Sequence, residues 1–267
     1  MPFINIEQSP LAPNQKDVQL FYREAGQGVP LLFLHGGWGY EIYPFYRQIE
    51  AFNNQFRILI PDRSGYGRSL QIEAMPADFH NHAAQEMLRF LDAMKIERAF
   101  LWGHSDGAVI ATKMALAAPD RFLGIILEAF HYYKFKPASR VFFETMMRDP
   151  AQLGERVIKV LADAHGENYW QKLIEINGTA WLKIAEESRH EKDDLYNGNI
   201  SQLKTSTIFI HGKLDPRTEP DELATVQQQL PSVSIYLIEE GKHSPHSESV
   251  AAEESIKIAN RFFQASL

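Results

Sequence analysis

Six short stretches of this chain are almost continuously apolar, and nearly all of them run straight into Gly, His, Asp, Ser or Glu. They cover residues 30–34 (before His35-Gly36-Gly37), 56–60 (before Pro61-Asp62), 98–102 (before Gly103-His104-Ser105), 122–127, 207–210 (before His211-Gly212) and 233–238 (before Glu239-Glu240-Gly241). A strand that is apolar on both faces must be covered on both, so these runs belong in a sheet sandwiched between helices. The covering is visible in the sequence. Residues 41–52, 77–94, 106–118, 220–230 and 247–263 carry apolar side chains at three- and four-residue spacing, which marks helices with one buried face. Such alternation predicts a doubly wound, mostly parallel sheet. Two further strands at 3–7 and 18–24, separated by a turn containing Pro and Asn, bring the total to eight. Sheets of this class hold ligands and chemistry at their strand carboxyl ends, where the Gly, His, Asp and Ser residues collect.

One stretch breaks the alternation. From 130 to 201 there is no strand pattern, only helical periodicity at 141–148, 154–164, 169–176 and 179–187. An insertion of about 70 residues is too long for a plain crossover. We expect a helical cap over the strand ends, dividing the chain into core (1–130), cap (131–200) and core (201–267). Its large residues, among them Phe142, Phe143, Trp170 and Trp181, should mostly pack on one another, with a few reaching a pocket.

Composition narrows the function. The chain has 267 residues, 45% hydrophobic and 23% charged, which fits an ordinary globular domain. Its net charge of -7 disfavours nucleic acid and anionic membrane as partners. The absence of cysteine removes disulfides, thiolate metal sites and a cysteine nucleophile together. The first residues lack a signal-peptide pattern and no apolar run spans a bilayer, so a soluble cytoplasmic protein is expected. Oligomeric state stays open.

The chemistry is concentrated in Gly103-His104-Ser105-Asp106-Gly107, a G-x-S-x-G sequence between a strand and an amphipathic helix. That context forces a sharp strand-to-helix turn with the serine at its apex, presented at a helix N-terminus that favours negative charge. Four other segments accompany it in order: His35-Gly36-Gly37-Trp38-Gly39, Asp62 to Ser69 (D-x-x-G-x-G-x-S), His211 to Pro216 and Gly241 to His246.

Taken together these five segments resemble the α/β-hydrolase superfamily, in its cap-bearing, esterase-like branch, over essentially the whole chain. The resemblance implies a nucleophilic Ser105, a general base His243 and an orienting acid Asp215, in the chain order Ser-Asp-His of that superfamily. It also implies an oxyanion hole from the backbone N–H groups of Gly37 and Asp106. The implied reaction is hydrolysis of a small carboxylic ester or related acyl bond through an acyl-serine, with no cofactor and no metal. Lactones, amides and carbon–carbon bonds lie within reach of the same triad. A hydrolase-fold ligand receptor with little turnover is the rival of a different class.

Several positions have competitors. His246, three residues past His243, is an alternative base, and Glu128 at the end of its strand is an alternative acid or a pocket residue. Trp38, Asp106 and Glu128 are the substrate-binding candidates. The Gly-x-Ser-Asp-Gly variant resembles that of valacyclovir-hydrolase-like esterases, so Asp106 is expected to favour esters bearing an α-ammonium group. His80-Asn81-His82 with Glu86 could suggest a metal, but an exposed helix start is the simpler reading. Asp62 and Arg63 should brace the loop below the nucleophile.

Overall fold

A computed structural model describes residues 2–267. Eight strands form one sheet: β1 (Phe3–Glu7), β2 (Asp17–Ala25), β3 (Val29–Leu34), β4 (Phe56–Pro61), β5 (Ala99–His104), β6 (Phe122–Glu128), β7 (Thr207–Gly212) and β8 (Ser234–Ile238). Their order across the sheet is β1-β2-β4-β3-β5-β6-β7-β8, with β2 antiparallel to both neighbours and every other pairing parallel. The chain therefore leaves β3 toward β4 on one side and later returns to place β5 on the other. At that switch point Leu34 pairs with Gly103, so the loops after β3 and β5 open side by side.

The expected helices fall on the two faces. These are α1 (Tyr46–Phe52), α2 (Phe79–Ala93), α3 (Asp106–Ala117), α7 (Glu222–Gln229) and α8 (Ala251–Ser266). One buried cluster joins α2 and α3 to the sheet through Phe90, Met87 and Val109. The other joins α1 and α8 through Phe52, Phe263 and Trp102. Helix α1 begins five residues later than its periodicity suggests. Pro44 lies in that stretch, and the residue before a proline is driven out of the helical region.

Between β6 and β7 run α4 (Pro137–Arg148), α5 (Glu155–His165) and α6 (Trp170–Glu186). The two short helices expected on either side of Asn177-Gly178 are one continuous helix. Gly178 lies against the flexible end of Met147, whose sulfur would be 2.7 Å from a Cβ at that position. The segment lies against the strand ends: Trp38 stacks on Phe142 with ring centroids 5.2 Å apart, and the Gly67 N–H donates to His165 Nδ1 at 2.8 Å. Among the described residues, no helix is long and apolar enough to cross a membrane.

Candidate active site

The strand-to-helix turn at Ser105 is strained in the way its sequence requires. Ser105 has φ +55° and ψ -121°, an unfavourable conformation for a residue with a side chain. Gly107 makes the turn possible, because a Cβ there would sit 2.0 Å from the Leu34 carbonyl oxygen. The Ser105 N–H donates to the Glu128 carbonyl at 2.9 Å, tying the elbow to β6.

Ser105, His243 and Asp215 converge from three strand ends. His243 Nε2 lies 3.1 Å from Ser105 Oγ, and its Nδ1 lies 3.0 and 3.1 Å from the two Asp215 oxygens. The Arg217 backbone N–H also donates to Asp215, at 2.9 Å. Burial opposes charge on Asp215, but the His243 hydrogen bond and the neighbouring histidines win and hold its carboxyl below the ordinary carboxylate range. Burial is the largest influence on His243 and lowers its pKa below the usual 6.5, although Asp215 pulls the other way. The imidazole is therefore neutral at pH 7, with Nδ1–H directed to Asp215 and an Nε2 lone pair directed to the serine.

Gly37 and Asp106 line the same cavity as Ser105. A side chain at position 37 would meet Asp106 Oδ2 at 2.8 Å, so this close approach requires glycine. The loop carrying Gly37 is held from below as the sequence suggests. Arg63 Nη1 donates to the His35 carbonyl at 2.6 Å and Nη2 to the Gly36 carbonyl at 3.2 Å.

Two expectations, for Glu128 and His80, need correction, and one rival position, His246, is set aside. Glu128 is not a pocket residue. It is fully buried beneath the elbow, where it accepts from Trp102 Nε1 at 2.8 Å and from the His246 backbone N–H at 2.7 Å, and where its Oε1 lies 2.8 Å from His246 Nδ1. His246 does not approach Ser105. Its Nε2 lies 2.9 Å from the Tyr43 carbonyl oxygen, which can only accept, so this nitrogen is occupied as a donor. His80 does not open an exposed helix face. It is buried with Nε2 3.3 Å from Asp106 Oδ1, while Glu86 is engaged by Ser9 and Ser64. Among the described residues no cluster of three or more His, Cys, Asp or Glu side chains is arranged to hold a metal.

Asp106 lines the cavity, but its carboxylate is already occupied. Besides His80, Trp181 Nε1 donates to Oδ1 at 3.0 Å and Asn177 Nδ2 to Oδ2 at 3.2 Å. Burial would raise its pKa; His80 and the cations Arg63 and Arg217 more than offset this, and the group stays ionised. Few of its lone pairs are left for an α-ammonium group. The physical reason lies in α6, which brings Asn177 and Trp181 across about 70 residues of chain onto the first residue of α3.

A second histidine touches the serine, and nothing in its local sequence marks it. His131 Nε2 is 3.3 Å from Ser105 Oγ. Lys136 Nζ lies 2.8 and 2.6 Å from the two Glu222 oxygens and 2.9 Å from His131 Nδ1. An ammonium has three protons and no lone pair, so all three are used and His131 Nδ1 must accept. That fixes the proton on Nε2, and His131 donates to Ser105 Oγ while the serine donates to His243. Burial first, and Lys136 second, keep the His131 pKa well below 6.5, so it stays neutral.

The cavity around Ser105 has a volume of about 20 Å³, and Trp38, Phe142, Trp181 and Arg217 contribute to its walls. Trp38, Tyr43 and Phe142 also border an outer cavity of about 1110 Å³. Trp38 thus stands where a substrate would enter.

Comparisons with known proteins agree with this fold. A family model described as the alpha/beta hydrolase fold matches residues 29–158. The chain has the α/β-hydrolase fold, and the family model matches just under half of its length. It is 26% identical over 251 residues to the human serine hydrolase BPHL, covering 92% of this chain and 84% of that protein. It is 23% identical over 236 residues to the (E)-2-((N-methylformamido)methylene)succinate hydrolase of Acinetobacter baylyi, covering 83% and 86%. A thermophilic esterase from Thermogutta terrifontis, solved with malate bound, superposes with a TM-score of 0.74 at 18% identity, covering 100% of this chain and 99% of that one.

Proposed function

We propose that this hydrolase cleaves a small carboxylic ester, or a related acyl bond, through an acyl-serine intermediate. The observation that carries the reading is the continuous line from Asp215 through His243 to Ser105, with 3.0 Å and 3.1 Å contacts on the two ring nitrogens. Ser105 Oγ attacks the acyl carbon as His243 Nε2 takes its proton. Asp215 stabilises the imidazolium, which then protonates the leaving alcohol as the carbon–oxygen bond breaks. Water repeats the sequence on the acyl-serine and releases the acid. The N–H groups of Gly37 and Asp106 would hold the oxyanion, since no acceptor among the described residues takes either of them. His131 adds a donor to Oγ, which favours the serine as leaving group when the acyl-serine breaks down.

Residues 131–200 act in this reading as a cap that controls entry, with Phe142 between the inner and outer cavities. The inner volume of about 20 Å³ is below that of any ester, so α4 or the side chains facing it must yield when substrate binds. We place the protein in the cytoplasm on its composition.

The test is labelling by a fluorophosphonate followed by turnover on a p-nitrophenyl ester series. Multiple turnovers that vanish in Ser105→Ala are expected. Labelling without steady-state turnover would favour a ligand receptor, and turnover surviving the serine change would overturn the mechanism.

A further inference from the structure

The polar groups facing the Ser105 cavity are unequally used. The carboxylates in and beside the cavity are occupied, Asp106 by His80, Asn177 and Trp181, and Asp215 by His243 and the Arg217 backbone, while the buried Asn177 Oδ1 has no partner. The Lys136 ammonium is fully used by Glu222 and His131. Arg217 differs. Among the described residues no carboxylate lies within ion-pairing distance of its guanidinium, and its buried Nε–H finds no acceptor. The ring faces of Phe142 and Phe143 pack against it, 4.7 and 4.9 Å from the guanidinium carbon. A hydrogen-bond donor withheld from water beside the reactive serine is costly unless a ligand uses it.

The outer cavity points the same way. Its lining includes Arg47, Arg68 and Arg156 against Asp163, besides Arg23, which is paired with Glu41 and Asp62, on a chain whose net charge is -7. Such a lining draws anions inward and repels cations.

Resting on the acyl-serine reading above, the geometry points to a substrate that carries a carboxylate, with Arg217 as the residue that binds it. The carboxylate takes a forked pair of N–H bonds from the guanidinium and replaces the phenyl faces as its partner. Because those faces belong to α4, substrate binding and displacement of Phe142 become one event. The ammonium preference expected from Asp106 is replaced by its opposite. Asp106 then serves to balance the Arg217 charge at a distance while leaving its donors free.

The experiment compares monomethyl succinate, glutarate and adipate with their dimethyl esters and with methyl 6-aminohexanoate, by proton release at pH 7. The wild type should show its highest kcat/KM on one of the monoanions, falling as salt rises. Arg217→Gln should lower the ratio of anionic to neutral kcat/KM about 10- to 100-fold, with Arg217→Lys in between. A purely structural role for Arg217 would lower both substrates together and leave the ratio fixed, which overturns the proposal. So would a wild type that prefers the diesters or the aminoester. As a readout independent of turnover, glutarate should slow fluorophosphonate labelling of Ser105 in the wild type and not in Arg217→Gln; equal protection in both overturns it too. Labelling and p-nitrophenyl butyrate turnover in the same preparations keep the two claims apart. If they fail, the serine mechanism falls; if they succeed without an anion preference, only the Arg217 assignment falls.

Discussion

Two histidine–carboxylate pairs lie three residues apart on one loop, and their chemistry diverges completely. His243 with Asp215 and His246 with Glu128 have nearly the same contact, Nδ1 to carboxylate oxygen at 3.0 and 2.8 Å. The difference is the other ring nitrogen. In His243 it meets a serine hydroxyl and keeps a usable lone pair; in His246 it meets a carbonyl and is occupied as a donor. His246 is also stacked on Phe45 with ring centroids 4.0 Å apart, sealed below the elbow. A histidine–acid pair becomes a base only where its second nitrogen is left an acceptor site facing the substrate. The same contact elsewhere is an anchor.

That contrast can be broken most directly at the bases. His243→Ala should cost on the order of 10⁴–10⁶ in kcat, as should Ser105→Ala, with melting temperature little changed. His246→Ala should leave a measurable enzyme that melts earlier. Steady-state kinetics beside thermal melts of both variants checks this, and a reversed ranking would move the base to His246.

The anchor should fail in stability instead. Glu128→Gln removes the charge that faces Trp102 and His246 in a fully buried place, and should cost about 2–4 kcal/mol by denaturant titration. Turnover per folded molecule should stay near wild type. Asp215→Asn should do the reverse, since an amide can hold the wrong imidazole tautomer.

A smaller effect belongs to His131. His131→Leu removes one donor to Ser105 Oγ and should lower kcat about tenfold with little change in KM. Replacing Lys136 and Glu222 together by Met and Gln should lower it similarly, because the tautomer lock is lost while no buried charge is orphaned. Single-turnover kinetics, reading acylation and deacylation separately, distinguishes a role at Oγ from loose packing.

The finest distinction is in pH. Activity requires neutral His243, so kcat/KM rises with pH, and burial places the midpoint below 6.5. Asp215 raises the His243 pKa, so Asp215→Asn should move the acidic limb further down while depressing the plateau. Lys136 lowers it, so the Lys136 and Glu222 double variant should move the limb upward. A midpoint that ignores both changes would separate the limb from His243.

What the sequence determines about this protein is whatever is encoded within a few neighbouring residues. All eight strands lie within about two residues of their apolar runs, because burial on both faces imposes a local pattern. Ser105, Asp215 and His243 are legible because each sits on a turn whose backbone demands are written in adjacent Gly, Asp and Pro. Only the tertiary structure decided which polar groups are occupied and which are free. The Lys136–Glu222 pair spans 86 residues, the Asn177–Asp106 contact 71 and the His246–Glu128 contact 118. No periodicity records those meetings. Arg217 looks like an ordinary loop cation until the fold brings it, half-buried, beside Ser105 with two aromatic rings against it. The cost of an unpaired buried donor or acceptor is set by what arrives from elsewhere in the chain, so the same side chain is an anchor, a spent charge or a binding group according to its distant neighbours.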